Sequence, residues 1–349
     1  MLITALRDLQ WRRRRFVIAV IGTGVVFAMT LVLTGLANGF RVEARHTVDS
    51  LGFDAYLIKA GAVGPFQGSA PFPETVTTAV TRIPGVKSAI PLVFGVGVVQ
   101  DRGASQQVNV FGVSEHGTGV PTLASGVAPS SPGEVAVSNT LRRALGDDVQ
   151  ISSRKPRIAG LVDNSTALAG QPNVFFTIAG AQQLLFSGQP LVSAIGLHGT
   201  PAEVPDGYRI VHRNDAVDDL LRPLQKAIGA ISYLAILLWA VAALIVGSLI
   251  YLSALERTRD FAVFKAVGVT TRSVLAGLAL QAVVVAMVAA VLGAVLSLGL
   301  GPVFPIRVVV PTSAFVLLPV IAVVIGLLAS VAGMRRAVTV DPALAFGGP

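Results

Sequence analysis

No cysteine occurs among the 349 residues of this sequence. Disulfide bonds, thiolate metal sites and lipid attachment through a cysteine are therefore excluded. The absence does not define a compartment, because a domain of sufficient size folds without disulfides.

Charged residues are also scarce, at 13% of the chain against about 25% in a typical soluble domain. The mean hydropathy of +0.71 reflects a surplus of apolar side chains that one soluble core cannot bury. These side chains are concentrated in long runs, which indicate segments that cross a lipid bilayer.

Four such runs contain no charged residue, and we predict transmembrane helices over 16–36, 228–252, 274–300 and 313–332. At 1.5 Å per residue the first run reaches roughly 31 Å, enough for a hydrocarbon core of about 30 Å. A cleaved signal peptide is the alternative for this run, because an arginine cluster precedes it. The run is longer than the apolar part of a signal peptide, about 7–15 residues, which favours an uncleaved anchor.

The sequence between the first two runs, 37–227, alternates short apolar stretches with glycine, proline and asparagine. This pattern predicts a mixed α+β domain inserted between two spans of an α-helical membrane protein. Loops are predicted over 61–73 and over 116–133, the second of which separates two subdomains. The predicted strands are Ala55–Lys59, Ser88–Val93, Val108–Val113, Glu134–Val137, Arg157–Val162, Asn173–Thr177, Ser193–Leu197 and Tyr208–Val211. The predicted helices are Pro73–Ile83, Ser138–Leu145, Ile178–Phe186 and Asp215–Leu224.

The distribution of positive charge predicts the orientation of the chain. Residues 38–227 contain 15 Lys and Arg and 15 Asp and Glu, so the net charge of +8 comes from the rest of the chain. Positive residues cluster in the N-terminal segment 1–15, in the segment 253–272 and in the tail 333–349. The positive-inside rule places these three segments in the cytoplasm and 37–227 outside it. Such a pattern does not indicate nucleic-acid binding.

Arg307 is the only charged residue in the short segment 301–312, between the third and fourth runs. An arginine at the bilayer centre costs at least about 2.5–3.5 kcal/mol. We therefore expect this segment at the outer membrane interface.

The cytoplasmic segment 254–269 has the pattern of a short helix lying at the membrane face. Phe261 and Phe264 are three residues apart and share a helix face, and Gly268 suits a helix C-terminus. From physical reasoning alone, a connector whose phenylalanines rest on lipid is an equal alternative.

This segment resembles the ERTREIG-x-x-RA-x-G motif of the MacB/FtsX-like ABC transporter permeases. The matching residues are Glu256, Arg257, Thr258, Arg259, Ala266 and Gly268, while Asp260, Phe261, Ala262 and Lys265 replace the family's residues. The stretch 341–345 resembles the family's C-terminal ending, although Phe346 stands where an arginine is usual. Two parts of the inserted domain, 73–91 and 133–147, resemble the MacB periplasmic core.

The resemblance implies a coupling helix that docks on a separate ATPase subunit. The residues implied in this coupling are Glu256, Arg257, Arg259, Phe261, Phe264 and Gly268. None of the five lysines follows a glycine, so the chain lacks the Walker A loop that cradles ATP phosphates. The implied partners are two ATP-binding subunits that hold ATP and Mg, a second permease, identical in a homodimer or similar in a heterodimer, and an extracytoplasmic protein. The implied location is the bacterial plasma membrane.

Small residues recur in the third and fourth runs. The set is Ala282, Ala286, Ala290, Gly293, Ser297, Gly326 and Ser330. Such stripes permit close approach of helices, so they predict a packing face or a homodimer seam, with the general abundance of Ala and Gly as the alternative. Gln281 is the strongly polar residue of the third run, and we expect it to hydrogen-bond another helix.

Enzyme signatures are missing from the sequence. There is no nucleophile-elbow motif, and the acidic pairs at 147–148 and 218–219 are interpreted as solvated charges at helix ends. The four histidines show no metal-ligand spacing: His46, His116, His198 and His212.

We therefore expect a permease subunit that is not an enzyme and has no cofactor of its own. It would transmit ATP-driven closure to the extracytoplasmic domain for export, extraction or mechanotransmission. Alternatives are the uptake of a small solute such as an amino acid, and control of an external cell-wall hydrolase as in FtsX-type members. A membrane-anchored sensor without an ATPase is a further alternative.

Overall fold

The computed structural model describes residues 13–101, 104–114, 119–256, 263, 267–268, 270–304 and 306–338. The chain divides into two compact units. The membrane unit consists of the residues up to Gly39 and from Ala227 onward, and the inserted domain consists of Phe40–Lys226.

Four long helices build the membrane unit. In chain order, the helices of the protein are α1 (Arg13–Ser50), α2 (Val76–Thr81), α3 (Ile178–Leu185), α4 (Arg213–Leu221), α5 (Gln225–Glu256), α6 (Thr271–Leu300) and α7 (Thr312–Val338). Within the described ranges, α1, α5, α6 and α7 account for four segments long and apolar enough to cross a membrane. Each of them contains one of the predicted spans.

Helix α1 continues past the predicted end of the first span, from residue 37 to Ser50. The added part is polar, so it ends the apolar run, but its arginine, glutamate and alanine residues favour the helical state. The helix ends shortly before Gly52, whose positive φ of +79° suits a helix terminus. Hydropathy therefore marks the end of the apolar part of α1 and not the end of the helix.

Small residues bring the long helices together. A Cβ on Gly293 of α6 would lie 2.7 Å from the Cβ of Phe27 in α1. A Cβ on Gly326 of α7 would lie 2.8 Å from the Cα of Val283 in α6. At both crossings the backbone approach requires glycine.

The inserted domain is built on a mixed sheet. Its strands are β1 (Ala55–Lys59), β2 (Phe72–Pro73), β3 (Val86–Asp101), β4 (Ala104–Val113), β5 (Leu123–Gly126), β6 (Glu134–Ser138), β7 (Arg157–Val162), β8 (Thr166–Ala167), β9 (Gln171–Thr177), β10 (Leu191–Val192), β11 (Ala194–Gly199) and β12 (Tyr208–His212). In the part of the chain that is described, ten of them form one sheet in the order β12-β1-β11-β3-β4-β9-β6-β7-β5, with β8 on β9. The pairs β4–β9 and β6–β7 are parallel, and β2 and β10 form a separate pair.

The long strand β3 joins the two halves of this sheet. Its first half pairs with β11 up to Leu92, and its second half pairs with β4 from Val93 onward. The segment 116–133, predicted to separate two subdomains, instead contributes β5, which pairs with β7. Residues 40–226 accordingly form one compact unit.

The eight predicted strands all occur, as β1, β3, β4, β6, β7, β9, β11 and β12. The predicted helix Ser138–Leu145 is wrong, because only a single 3₁₀ turn, Asn139–Leu141, follows β6. The Ser138 hydroxyl accepts a hydrogen bond from the Thr140 N–H at 3.4 Å, a local bond that competes with helix formation. Arg142 then leaves the turn with a left-handed φ of +53°.

Candidate functional site

The predicted coupling segment lies between α5 and α6. Two of its nominated residues are described, Glu256, which is the last residue of α5, and Gly268, which has a φ of +90°. The other four nominated residues lie outside the described ranges: Arg257, Arg259, Phe261 and Phe264. The N–H of Val267 donates to the carbonyl oxygen of Val263 at 3.0 Å. A helical hydrogen bond followed by a left-handed glycine is the geometry of a helix C-terminus.

Two valines of this segment were not nominated from the sequence. Val263 and Val267 are four residues apart, and 47% and 78% of their surfaces are exposed. Residues at this spacing share a helix face, so the pair presents apolar surface outward. The i, i+4 spacing of the two valines could have identified them, but the sequence-based prediction relied on the larger apolar residues Phe261 and Phe264.

Helix α6 starts directly after the coupling segment. Thr270 is in the extended region at its N-terminus, and its carbonyl oxygen accepts the Ser273 N–H at 2.9 Å. The small residues nominated in α6 and α7 are all buried within the membrane unit: Ala282, Ala286, Ala290, Gly293, Ser297, Gly326 and Ser330. Gln281 is buried beside them. The chain's own helices therefore cover this stripe.

At the other end of α6, residues 307–309 of the segment that connects α6 to α7 bind α1. The N–H of Val309 donates to the carbonyl oxygen of Gly35 at 3.0 Å, and the Asn38 side-chain amide donates to the carbonyl oxygen of Val309 at 2.9 Å. A Cβ on Gly39 would overlap the carbonyl oxygen of Arg307. We call this contact the α1 clasp, formed by Gly35, Asn38, Gly39, Arg307 and Val309.

Beyond the clasp, α1 carries Glu43 into the inserted domain. The side chain is 4% exposed. Its carboxylate accepts the N–H groups of Ala169 at 3.1 Å and Gly170 at 3.0 Å, and the Thr166 hydroxyl. Leu168, Ala169 and Gly170 have φ values of +52°, +68° and +85°. Consecutive N–H groups in such a turn form a concavity that binds an anion, and the carboxylate of Glu43 occupies it.

The contact of Glu43 with the 168–170 turn anchors α1 in the inserted domain, and a buried polar network extends this anchor to the sheet. The Thr47 hydroxyl donates to the carbonyl oxygen of Thr166 at 2.9 Å. The Asn173 amide donates to the Thr47 hydroxyl at 3.3 Å, and the Asn109 amide donates to Asn173 at 3.0 Å. The last turns of α1 are thereby bound to β4 and β9, in a network whose members support one another.

Asp219 makes a second anchor of the same kind, on α4. The interpretation of this residue as a solvated helix-end charge is wrong, because its side chain is only 1% exposed. Its carboxylate accepts the N–H groups of Phe66 at 2.8 Å and Gly68 at 3.0 Å. Burial raises the pKa of Asp219, and the Phe66 N–H, the Arg222 guanidinium and the Gly68 N–H oppose that rise.

Helix α4 leads through a 3₁₀ turn, Arg222–Leu224, into α5. Each of the two helical connections of the inserted domain therefore carries a buried carboxylate that binds the backbone of a loop. Sequence reasoning missed both, because Glu43 binds residues more than 120 positions away and Asp219 binds Phe66 across 153 positions. Among the described residues, no cluster of His, Cys, Asp and Glu is suited to a metal ion.

Comparisons with known proteins agree with this layout. The family model for the MacB-like periplasmic core domain matches residues 16–206, and the model for the FtsX-like permease C-terminal region matches residues 232–342. An ABC transporter permease of Mycobacterium bovis is 62% identical over 349 residues, the whole of both chains. An ABC transporter permease of Mycobacterium tuberculosis is 58% identical over 350 residues, again the whole of both.

Among solved structures, the periplasmic region of MacB from Actinobacillus actinomycetemcomitans aligns with a TM-score of 0.36 at 13% identity, covering 47% of this chain and 91% of that one. The family models and the relatives identified by sequence together cover the four spans and the inserted domain. This chain belongs to the MacB/FtsX-like family of ABC transporter permeases.

Proposed function

We propose that this permease transmits the ATP-driven closure of its ATPase partner to the inserted domain, for export, extraction or mechanotransmission. The observation that carries the proposal is the continuity of α1 from Arg13 to Ser50. The clasp binds this helix at Gly35–Gly39, and Glu43 of the same helix binds the 168–170 turn within the inserted domain. A helix held at both places suits the transfer of force along its axis.

The cytoplasmic end of the route is the coupling segment. In the proposed mechanism the ATPase binds this segment through Val263 and Val267. The coupling residues predicted from the sequence take part in the same contact: Glu256, Arg257, Arg259, Phe261, Phe264 and Gly268. Because α6 follows directly and leads to the clasp, a displacement of the segment would reach α1 through packed and hydrogen-bonded neighbours.

The assembly proposed with this role is a homodimer of the permease with two ATP-binding subunits, which hold the ATP and Mg. We place it in the bacterial plasma membrane, with both termini in the cytoplasm and Phe40–Lys226 outside. The inserted domain would then deliver the motion to an extracytoplasmic protein or cargo.

The coupling role is tested by Val267→Asp, made in the full chain and co-expressed with its ATPase. A carboxylate on the exposed apolar face should weaken docking of the ATPase at least about tenfold, because burying an unpaired charge costs several kcal/mol. Val204→Asp is the matched control, since Val204 is exposed in the inserted domain. Co-purification and permease-stimulated ATPase activity are the measurements.

Loss of both in V267D, with V204D unchanged, is the expected result. Phe261→Asp and Phe264→Asp should behave as V267D does, with normal membrane insertion. A V267D complex that co-purifies and hydrolyses ATP like the wild type would refute the docking role of this segment.

A further inference from the structure

A groove of about 560 Å³ lies in the membrane unit where α6 ends and α7 begins. Apolar side chains line it: Leu298 of α6, Phe315 of α7, and Phe304, Ile306 and Val308 of the connecting segment. Arg307 is the one cation in this lining. The volume is within the range of about 300–1,000 Å³ that small-molecule sites occupy.

The charge of Arg307 has no counterpart nearby in the sequence. From Ser273 to Met334 it is the only charged residue. Among the side chains that the structure describes, no carboxylate lies within ion-pair distance of its guanidinium. The side chain is exposed, so it can meet a ligand without displacing a protein partner.

The position of the groove and the chemistry of its lining indicate the kind of ligand that it would bind. The groove lies at the end of α6, which is long and apolar enough to cross a membrane. In the proposed topology this end of the helix falls at the level where acyl chains meet headgroups. An apolar wall beside one cation suits a molecule with a hydrocarbon chain and an anionic head. A guanidinium binds phosphate oxygens in pairs, which suits the phosphate of a lipid headgroup.

We propose that this groove is a binding site for an anionic phospholipid, taken from the outer leaflet in the proposed topology. The phosphate binds Arg307, and one acyl chain lies against Leu298, Phe304 and Phe315. The site goes beyond the transmission role and does not depend on it. It does adjoin the α1 clasp, because Val308 and Val310 line the groove while Val309 binds Gly35.

The test uses the full chain, purified in a mild detergent and mixed with phosphatidylglycerol or with phosphatidylcholine of the same acyl chains. Native mass spectrometry counts the lipids retained by each chain. The wild type should retain one phosphatidylglycerol in preference to phosphatidylcholine. Arg307→Gln should weaken that retention at least about tenfold, as expected when charge-assisted hydrogen bonds are lost, and Arg307→Lys should weaken it less.

Two further variants separate the groove from general surface charge. Arg41→Gln removes an exposed arginine of α1 that is not part of the groove lining, and it should leave retention unchanged. Phe315→Ala should reduce the retention of both lipids, because it removes apolar contact and leaves the cation in place.

Several results would overturn the proposal. Equal retention of both lipids by the wild type, or unchanged phosphatidylglycerol retention by R307Q, would show that the groove is not a specific site for an anionic phospholipid. Displacement of the lipid by inorganic phosphate would make it a site for free anions. A change from dimer to monomer in R307Q, with lipid retention intact, would mean that a second copy of the chain fills the groove.

Discussion

The backbone of Gly39 lies against the carbonyl oxygen of Arg307, so closely that a Cβ on Gly39 would overlap that oxygen. The contact joins two segments of the membrane unit that are distant in sequence. Glycine is required here by the close approach of two backbones.

We expect Gly39→Ala to push the 306–310 segment away from α1. Overpacking of this kind costs typically about 1–3 kcal/mol, so the thermal unfolding midpoint of the purified chain should fall. Gly22→Ala is the matched control in the same helix, because a Cβ on Gly22 meets nothing within 4 Å. Unfolding of G39A and G22A at the same temperature would contradict the close contact at the clasp.

The buried carboxylate of Glu43 is predicted to hold the 168–170 turn in its left-handed conformation. Glu43→Gln removes the charge that pairs with the N–H groups of Ala169 and Gly170, and hydrogen bonds to charged groups contribute about 1.5–3 kcal/mol. We expect a loss of stability of this order and faster hydrogen exchange at those two amides, measured by mass spectrometry on the full chain.

The control for this variant is Glu203→Gln, the same chemical change at an exposed glutamate of the inserted domain. It should leave both stability and exchange unchanged. If exchange at Ala169 and Gly170 were as slow in E43Q as in the wild type, the turn would hold its shape without the carboxylate.

These contacts show where sequence reasoning ends. The four spans could be predicted because an uncharged apolar run of about 20 residues is typical of a transmembrane helix. Strands such as β1 and β7 could be predicted from short apolar runs between turn residues. The polar end of α1 could not, since hydropathy does not report helix propensity. Glu43, Asp219 and Gly39 were missed because each acts through the backbone of a segment far away in sequence.

Glu134 gives a prediction for pH. The backbone N–H of Ser130, at 2.8 Å, and the Ser130 hydroxyl, at 3.0 Å, hold the pKa of Glu134 below its ordinary value of 4.5. A lowered folded-state pKa means that the ionised group stabilises the fold above about pH 4.5, and that this stabilisation is lost as the pH falls through the folded-state pKa.

The Glu134→Gln variant should therefore be less stable than the wild type at pH 7, by less than about 1 kcal/mol because the residue is only partly buried and its charge is screened by solvent. The difference between the two should shrink as the pH falls below 4.5. Thermal unfolding at several pH values measures it. A difference that stayed constant from pH 7 to pH 3 would show that the charge of Glu134 does not contribute.

The small-residue stripe of α6 is predicted to hold α6 against α1 within one chain. Because Gly293 packs against Phe27 and the carbonyl oxygen of Gly24 in α1, Gly293→Ala should separate α6 from α1 and lower the unfolding midpoint of the single chain. Gly277→Ala is its control in the same helix, since a Cβ on Gly277 meets nothing within 4 Å. If G293A instead unfolded like the wild type and only its dimerisation changed, the stripe would serve as a seam between two copies. Measuring the oligomeric state and the unfolding midpoint together therefore separates the two roles that the sequence left open.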